Sequence, residues 1–513
     1  MKRLPLPFAP VFVLGLALPL AACQNAGEAP QEVAAASEIA WRHGDVDDAL
    51  AEAKEAGKPV ILYWGAVWCP PCNEMKAGLF KDADFIAETQ NFVPVYLDGD
   101  TEGAQRWGEQ FGISGYPTVI ILQPDGTEIT RIASANMAES LPGLLQVAAK
   151  RTTSIEALLA KAESDTGDLT ADDWTILGGF DWLNDPKHFA DLQKAGNLLA
   201  RLAETAPTPQ LQRQFGLLAL TVAAAENDEG EVVLTASQQA RAQALLAPML
   251  ADPAEVMANR QQLTYYAPGL VNALPAGAER EALAKSLRAA GDAIFANEAL
   301  TMSERVNAAK IDVELAKGSG GVTQAVLAKA RERAKWADAN ARDKIQRQAV
   351  IDDAAYLLWG AGDKAGARRL VTAELEKSDQ PYYYMSSLAD FAEKDGDEQG
   401  AVDWSRKAYE ASQGPATRVQ WAINYSNAVL RNTPKDKSAV EKSAGAVLAE
   451  LGKIEDGYYQ RTRVKVDAWG KNLAEWADAN GGGEVLDDLR TQMADVCAKQ
   501  GAQSGTCNAW SRA

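Results

Sequence analysis

The 513-residue sequence predicts an α/β domain followed by a long all-α region, and three observations carry that expectation. Between about Glu38 and Arg151, short apolar β-branched runs alternate with segments of helical spacing and end in a two-strand hairpin. From about Thr152 to Ala513 the composition shifts to Ala, Leu, Glu, Gln and Lys with helical spacing, and strand-like runs become scarce. Within that second part, Gly362-Asp363-Lys364-Ala365-Gly366-Ala367 recurs as Gly396-Asp397-Glu398-Gln399-Gly400-Ala401, an offset of 34 residues that matches a stacked helix-pair repeat. Apolar residues at 47% allow a sizeable core and exclude disorder throughout. A formal charge of −19 repels phosphate backbones, so nucleic acid is not an expected partner. His43 and His188 are the only histidines, which excludes a multi-histidine metal site, and no metal is expected.

The chain opens with Lys2 and Arg3, then an uncharged, mainly apolar stretch to Ala22, which reads as an export signal over residues 1–22. A transmembrane helix is the competing reading, but Pro5, Pro7, Pro10 and Pro19 interrupt the stretch. Leu20-Ala21-Ala22-Cys23 resembles the lipobox of bacterial lipoproteins. That resemblance implies cleavage before Cys23, lipidation of Cys23 and a membrane anchor of acyl chains facing the periplasm, with Gln24 leaning towards the outer membrane. Residues 23–37 are Ala, Glu, Gln, Gly and Pro with almost no bulky apolar side chain, the composition of a flexible tether.

The α/β part is expected over residues 38–151. Val46 to Ala56 has helical spacing and ends at Gly57, and Pro59 to Trp64 is a short apolar run typical of a buried strand. A helical stretch follows Trp68-Cys69-Pro70-Pro71-Cys72. Helix over Asp82 to Gln90, strand over Phe92 to Leu97 and helix over Gly103 to Phe111 come next. Thr118 to Leu122 and Glu128 to Ala133 form a hairpin about Pro124-Asp125-Gly126, and a last helix spans about Ala138 to Arg151.

Two cysteines separated by two residues at a helix amino terminus can close a disulfide, and the helix dipole favours the thiolate of the first. Cys69 is the candidate nucleophile and Cys72 the resolving thiol. A zinc site needs two further ligands of similar spacing, and no second such pair exists; a purely structural disulfide stays open. The order of elements is similar to that of the thioredoxin fold. Gly115-Tyr116-Pro117-Thr118 resembles the loop where that family keeps a cis-proline facing its disulfide. The resemblance implies that Trp68, Tyr116 and Pro117 contact substrate, with the Tyr116 backbone pairing to an extended segment beside a solvent-reachable sulfur pair. Within the superfamily, Pro59 to Ile132 resembles the carboxy-terminal periplasmic domain of thiol:disulfide interchange proteins, through Cys-x-x-Cys-x-Glu, the Phe-Val-Pro-Val-Tyr-Leu-Asp strand and Gly-Tyr-Pro-Thr-Val-Ile-Ile-Leu. Many thioredoxins place a buried Asp six residues before the first cysteine, where this chain has Tyr63, open to a packing or a relay role. Glu74 is then the acidic proton-relay candidate nearest in sequence, or else a solvated helix residue. Pro70 and Pro71 offer no N–H to a thiolate, which points to a reductase or isomerase rather than a strong oxidant.

The 34-residue repeat is similar to the tetratricopeptide family from about residue 351, with a looser copy through Ala439 and Ala446; residues 152–350 read as helix pairs. A bundle without recognition function is the competing reading. Cys497 and Cys507 are expected to form a structural disulfide, a second redox centre being the alternative. These readings sum to a lipid-anchored periplasmic thiol-disulfide oxidoreductase with no cofactor beyond its redox-active disulfide. Its partners are protein thiol or disulfide substrates, bound by the helical array, and a membrane or periplasmic reductant donor. The alternative is a non-catalytic envelope scaffold whose repeats bind partners.

Overall fold

Residues 38–513, except 44, 134–139, 152, 228–229, 455–456 and 513, are described by a computed structural model. The expected signal, lipobox Cys23 and tether lie outside the described residues. Chain order in the first part is β1 (Arg42–His43), α1 (Val46–Ala56), β2 (Val60–Gly65), α2 (Pro70–Ala77), α3 (Ala83–Thr89), β3 (Val93–Asp98), α4 (Glu102–Phe111), β4 (Thr118–Leu122), β5 (Glu128–Ile132) and α5 (Leu141–Ala148). The strands form one sheet in the order β1-β3-β2-β4-β5, β3 parallel to β1 and β2, β4 antiparallel to β2 and β5. Every residue of β2 is buried, because helices cover both faces of the sheet; that is why its sequence is a continuous apolar run rather than an alternation. The two-residue β1, paired through Arg42 and His43 with Val95 and Tyr96, has no counterpart in the sequence reading, since two residues carry no periodicity.

Three consecutive helix hairpins follow the repeat: Lys344–Gly360 with Lys364–Thr372, Pro381–Lys394 with Glu398–Ala411, and Pro415–Asn432 with Lys437–Leu451. The repeated hexapeptide is the turn of a hairpin, and each fixed residue has a physical reason. Gly362 and Gly396 take φ of 91° and 76°, a left-handed conformation that favours glycine. Asp363 and Asp397 cap the next helix, each accepting a 2.9 Å bond from the backbone of Gly366 or Gly400. A Cβ on Gly366 or Gly400 would come within 2.7 or 2.1 Å of that carboxyl group. Ala367 and Ala401 are fully buried where the paired helices meet.

The composition change near Arg151 is not a break in packing. Leu141, Leu144 and Leu145 of α5 share one core with Ile155, Leu158, Trp174, Phe180 and Phe215 of the helical part. Further along, the array packs back onto the α/β part, with Lys344–Gly360 against α2 and Gln460–Asn480 against α4. Residues 37–513 form one compact unit. A short strand pair, Ala225–Glu226 with Val232–Val233, interrupts the otherwise helical region.

Candidate functional site

The β2 strand delivers the chain to Trp68 and Cys69 at the amino terminus of α2. Cys69 is the N-cap, and Pro70 and Pro71 occupy the first helical positions, where a missing N–H costs nothing. Cys69 and Cys72 are joined in a disulfide with their Cα atoms 5.2 Å apart, and the backbone N–H of Cys72 donates to Cys69 Sγ at 3.2 Å. The Tyr116-Pro117 peptide is cis, and Tyr116 packs with Trp68, Ala66 and the two cysteines. The phenol of Tyr116 fixes this loop, donating to the Gly99 carbonyl at 3.1 Å and accepting from Gln105 Nε2 at 2.9 Å. A Cβ at Gly99 would lie 2.2 Å from the Tyr116 ring, so the approach requires a bare backbone there. Trp68 Nε1 donates to Asp100 Oδ2 at 2.8 Å.

Tyr63 is a packing residue, its ring 5.5 Å from Tyr96 and 4.9 Å from Phe80, and burial pushes its phenol pKa up. Its hydroxyl lies over Gly65, where a Cβ would meet it at 2.6 Å. Glu74 is engaged by the helical array and is not the solvated helix residue of the competing reading. Residues two apart on a helix do not face each other, and while Cys72 packs with Ala66, Trp68 and Tyr116, Glu74 accepts a 2.7 Å bond from Thr301 Oγ1 of the array. Burial beside Asp353 and Glu304 pushes its carboxyl pKa up to about 8, against the bond from Thr301.

The expectation of a solvent-reachable sulfur pair is corrected. Cys69 is 2% exposed and Cys72 0%, enclosed with Ala66, Trp68 and Tyr116, and the array packs on Trp68 beside them. The seam is held by groups far apart in sequence. Asn73 Nδ2 donates to Gln348 Oε1 at 2.9 Å, and Gln348 passes the chain on to Gln380 at 2.8 Å. Arg463 pairs with Glu109 at 3.0 Å. Asp100 does most: Gly414, the N-cap of Pro415–Asn432, has no side chain, and Asp100 substitutes for it by accepting from the Thr417 N–H at 3.0 Å and from the Thr417 hydroxyl. Burial pushes the Asp100 pKa up, opposed by the bonds from Thr417 and Trp68. Trp68 packs with Tyr382 and Trp421 of the array, and the Arg461 guanidinium lies 5.6 Å from its ring and 4.6 Å from that of Tyr116. The sequence reading named neither Asp100 nor Arg461, for no local signal connects residues more than 300 positions apart.

At the far end, Cys497 and Cys507 form a second disulfide, both fully buried in an apolar core. His188 is bound through Nδ1 to Asp185 at 2.6 Å. Among the described residues, Glu128, Glu156 and His188 cluster closely enough to hold an ion, but Arg131 and Lys187 already pair with Glu128.

A strand, a Cys-x-x-Cys helix cap and an opposing cis-proline define a thioredoxin-type dithiol domain. The family profile described as thioredoxin-like domain matches residues 46–149. Thiol:disulfide interchange protein DsbD 1 of Pseudomonas aeruginosa is 33% identical over 104 residues, 19% of this chain and 18% of that protein. Thioredoxin H-type of Oryza sativa subsp. indica is 32% identical over 100 residues, 19% of this chain and 75% of that protein. Human nucleoredoxin is 30% identical over 105 residues, 16% of this chain and 24% of that protein. Through this domain the chain belongs to the thioredoxin family, and its CxxC pair is that of a thiol-disulfide oxidoreductase. It spans less than a fifth of the length of the interchange proteins it matches. Among the described residues no helix is long and apolar enough to cross a membrane.

Proposed function

We propose that the whole protein is a periplasm-facing thiol-disulfide oxidoreductase, anchored by lipid on Cys23, that reduces or isomerises substrates held by its helical array. The observation that carries the reading is the Cys69–Cys72 disulfide at the amino terminus of α2, packed against the Tyr116-Pro117 loop. In the reducing direction the Cys69 thiolate attacks one sulfur of a substrate disulfide, forming the mixed disulfide and releasing the other substrate sulfur as thiolate. Cys72 then attacks Cys69 Sγ, the second substrate thiolate leaves, and the enzyme retains the Cys69–Cys72 bond. Two electrons pass to the substrate, and a dithiol donor of the membrane or periplasm must return them. With two prolines after Cys69, the backbone donor reaching its sulfur is the Cys72 N–H, which limits thiolate stabilisation and supports the reducing direction.

The near-complete burial of both sulfurs favours a second reading, a scaffold in which the domain is a binding module. Cys72→Ala separates the two. An enzyme accumulates dithiothreitol-sensitive adducts on Cys69 in cell envelopes, whereas a scaffold retains partners without any covalent adduct.

A further inference from the structure

Where Trp68, the residue before Cys69, meets the helical array lies a cavity of about 390 Å3. Arg461 and Gln420 line it and are 8% and 7% exposed. Among the described residues, Arg461 Nε and Nη1 and both amide atoms of Gln420 have no hydrogen-bond partner. Buried polar groups are almost always paired, and an unmet one costs about 1–3 kcal/mol, more when charged. Neighbouring arginines obey that rule: Arg463 is paired with Glu109 and Arg418 with Glu450. Arg461 is held instead by the faces of Tyr116 and Trp68, which fixes its planar fork of donors without using them. The acids of the same cavity are already met, Asp352 by Ser387 at 2.5 Å and Asp390 by Tyr356 at 2.9 Å and Lys394 at 2.6 Å. Lys465 lines the cavity as a second cation, and what Arg461 lacks is a negatively charged acceptor.

We propose that this cavity is the specificity pocket of the dithiol and that Arg461, with Gln420 beside it, binds a carboxylate of the substrate. The assignment rests on the oxidoreductase reading above. Because Arg461 stacks on the residue preceding the cis-proline, that carboxylate belongs within about one to three residues of the substrate cysteine. The volume suits a short extended peptide segment rather than a folded surface. The substrate class is therefore an acidic cysteine-containing peptide.

The test is a single turnover of the reduced full-length chain, quenched by alkylation, against three symmetric peptide disulfides. These are built from acetyl-Cys-Gly-Glu-amide, acetyl-Cys-Gly-Gln-amide and acetyl-Cys-Gly-Gly with a free carboxyl terminus. Each turnover oxidises the Cys69 and Cys72 thiols to the disulfide and releases two peptide thiols, so no further reductant enters. At least one carboxylate peptide is expected to react about tenfold faster than the Gln peptide, and which one does identifies a side-chain or a terminal carboxylate. A charge of −19 on the chain opposes an anionic substrate at long range, so such a gain requires a local cation. Arg461→Met should bring the ratio near one, and Arg461→Lys should keep part of it. Equal rates in the wild type, or a preference unchanged in Arg461→Met, overturn the pocket assignment alone. No reaction with any of the three, from protein with its dithiol verified as reduced, overturns the redox reading beneath it.

Discussion

Among the described residues there are two disulfides, and burial does not tell them apart: Cys69 and Cys72 are as enclosed as Cys497 and Cys507. Their surroundings do. The second bond joins the Gly483–Cys497 and Ser504–Arg512 helices inside a single apolar core. The first sits on a seam between two parts of the chain, closed by hydrogen bonds through Asn73, Asp100 and Glu74. A seam closed by polar groups can exchange them for water when it parts, whereas opening an apolar core exposes surface at about 25 cal/mol per Å2. Enclosure of a reactive sulfur pair is therefore compatible with turnover when hydrogen bonds close much of the seam, beside the packing of Trp68 on Tyr382 and Trp421.

The largest separation of the two bonds comes from removing each. Cys69→Ala should abolish disulfide exchange with any substrate, while the double variant Cys497→Ala/Cys507→Ala should retain exchange and lose about 3 kcal/mol of stability, the chain-entropy value for so short a loop. Insulin reduction and urea unfolding read the two effects. Next in size is the seam. Asp100→Ala strands the Thr417 and Trp68 N–H groups and removes a helix cap supplied from outside its own helix, at about 2 kcal/mol. In the same variant the reduced Cys69 should be alkylated faster, with the alkylation rate of reduced Cys497 unchanged; equal acceleration at both would mean general loosening instead.

A smaller effect is expected in pH dependence. The Glu74 carboxyl, raised to about 8 by burial from an ordinary value of 4.5, holds its proton more tightly folded than unfolded. Its contribution is fully present below about pH 4.5 and is lost as pH rises through about 8. Glu74→Gln should flatten the decline of the urea midpoint between pH 5 and pH 8, although Asp352, raised to about 7 by burial, retains a slope of the same sign. Parallel profiles would contradict the burial of Glu74 in the seam. Smallest is Gly396→Ala in the repeat turn, where the left-handed φ of 76° costs about 1 kcal/mol in stability and exchange stays unaltered.

These contrasts follow the line between what was legible in the sequence and what was not. Wherever the cause is local, the reading agrees with the structure: the all-buried β2, the helix ending at Gly57 with φ 63°, and hairpin turns built from Gly-Asp and a glycine three residues on. The dithiol and its proline loop belong to the same class, because a strand, a cap and a turn place them. The contact of Glu74 with Thr301 was not legible because proximity in sequence to Cys72 says nothing about the side of the helix it faces. The cover over the sulfurs was invisible for a different reason. It depends on Gln348, Thr417 and Arg461 meeting residues of the α/β part through the curvature of the array, and helical periodicity does not report curvature.

The most direct measurement is the equilibrium of the Cys69–Cys72 couple in the full-length chain, poised in dithiothreitol buffers and read by alkylation of those two sulfurs alone. A covered but working dithiol with two prolines after its first cysteine should titrate reversibly towards about −270 mV. A bond that stays closed below about −300 mV would be structural, and one that opens near −120 mV would belong to an oxidant; either result would contradict the account.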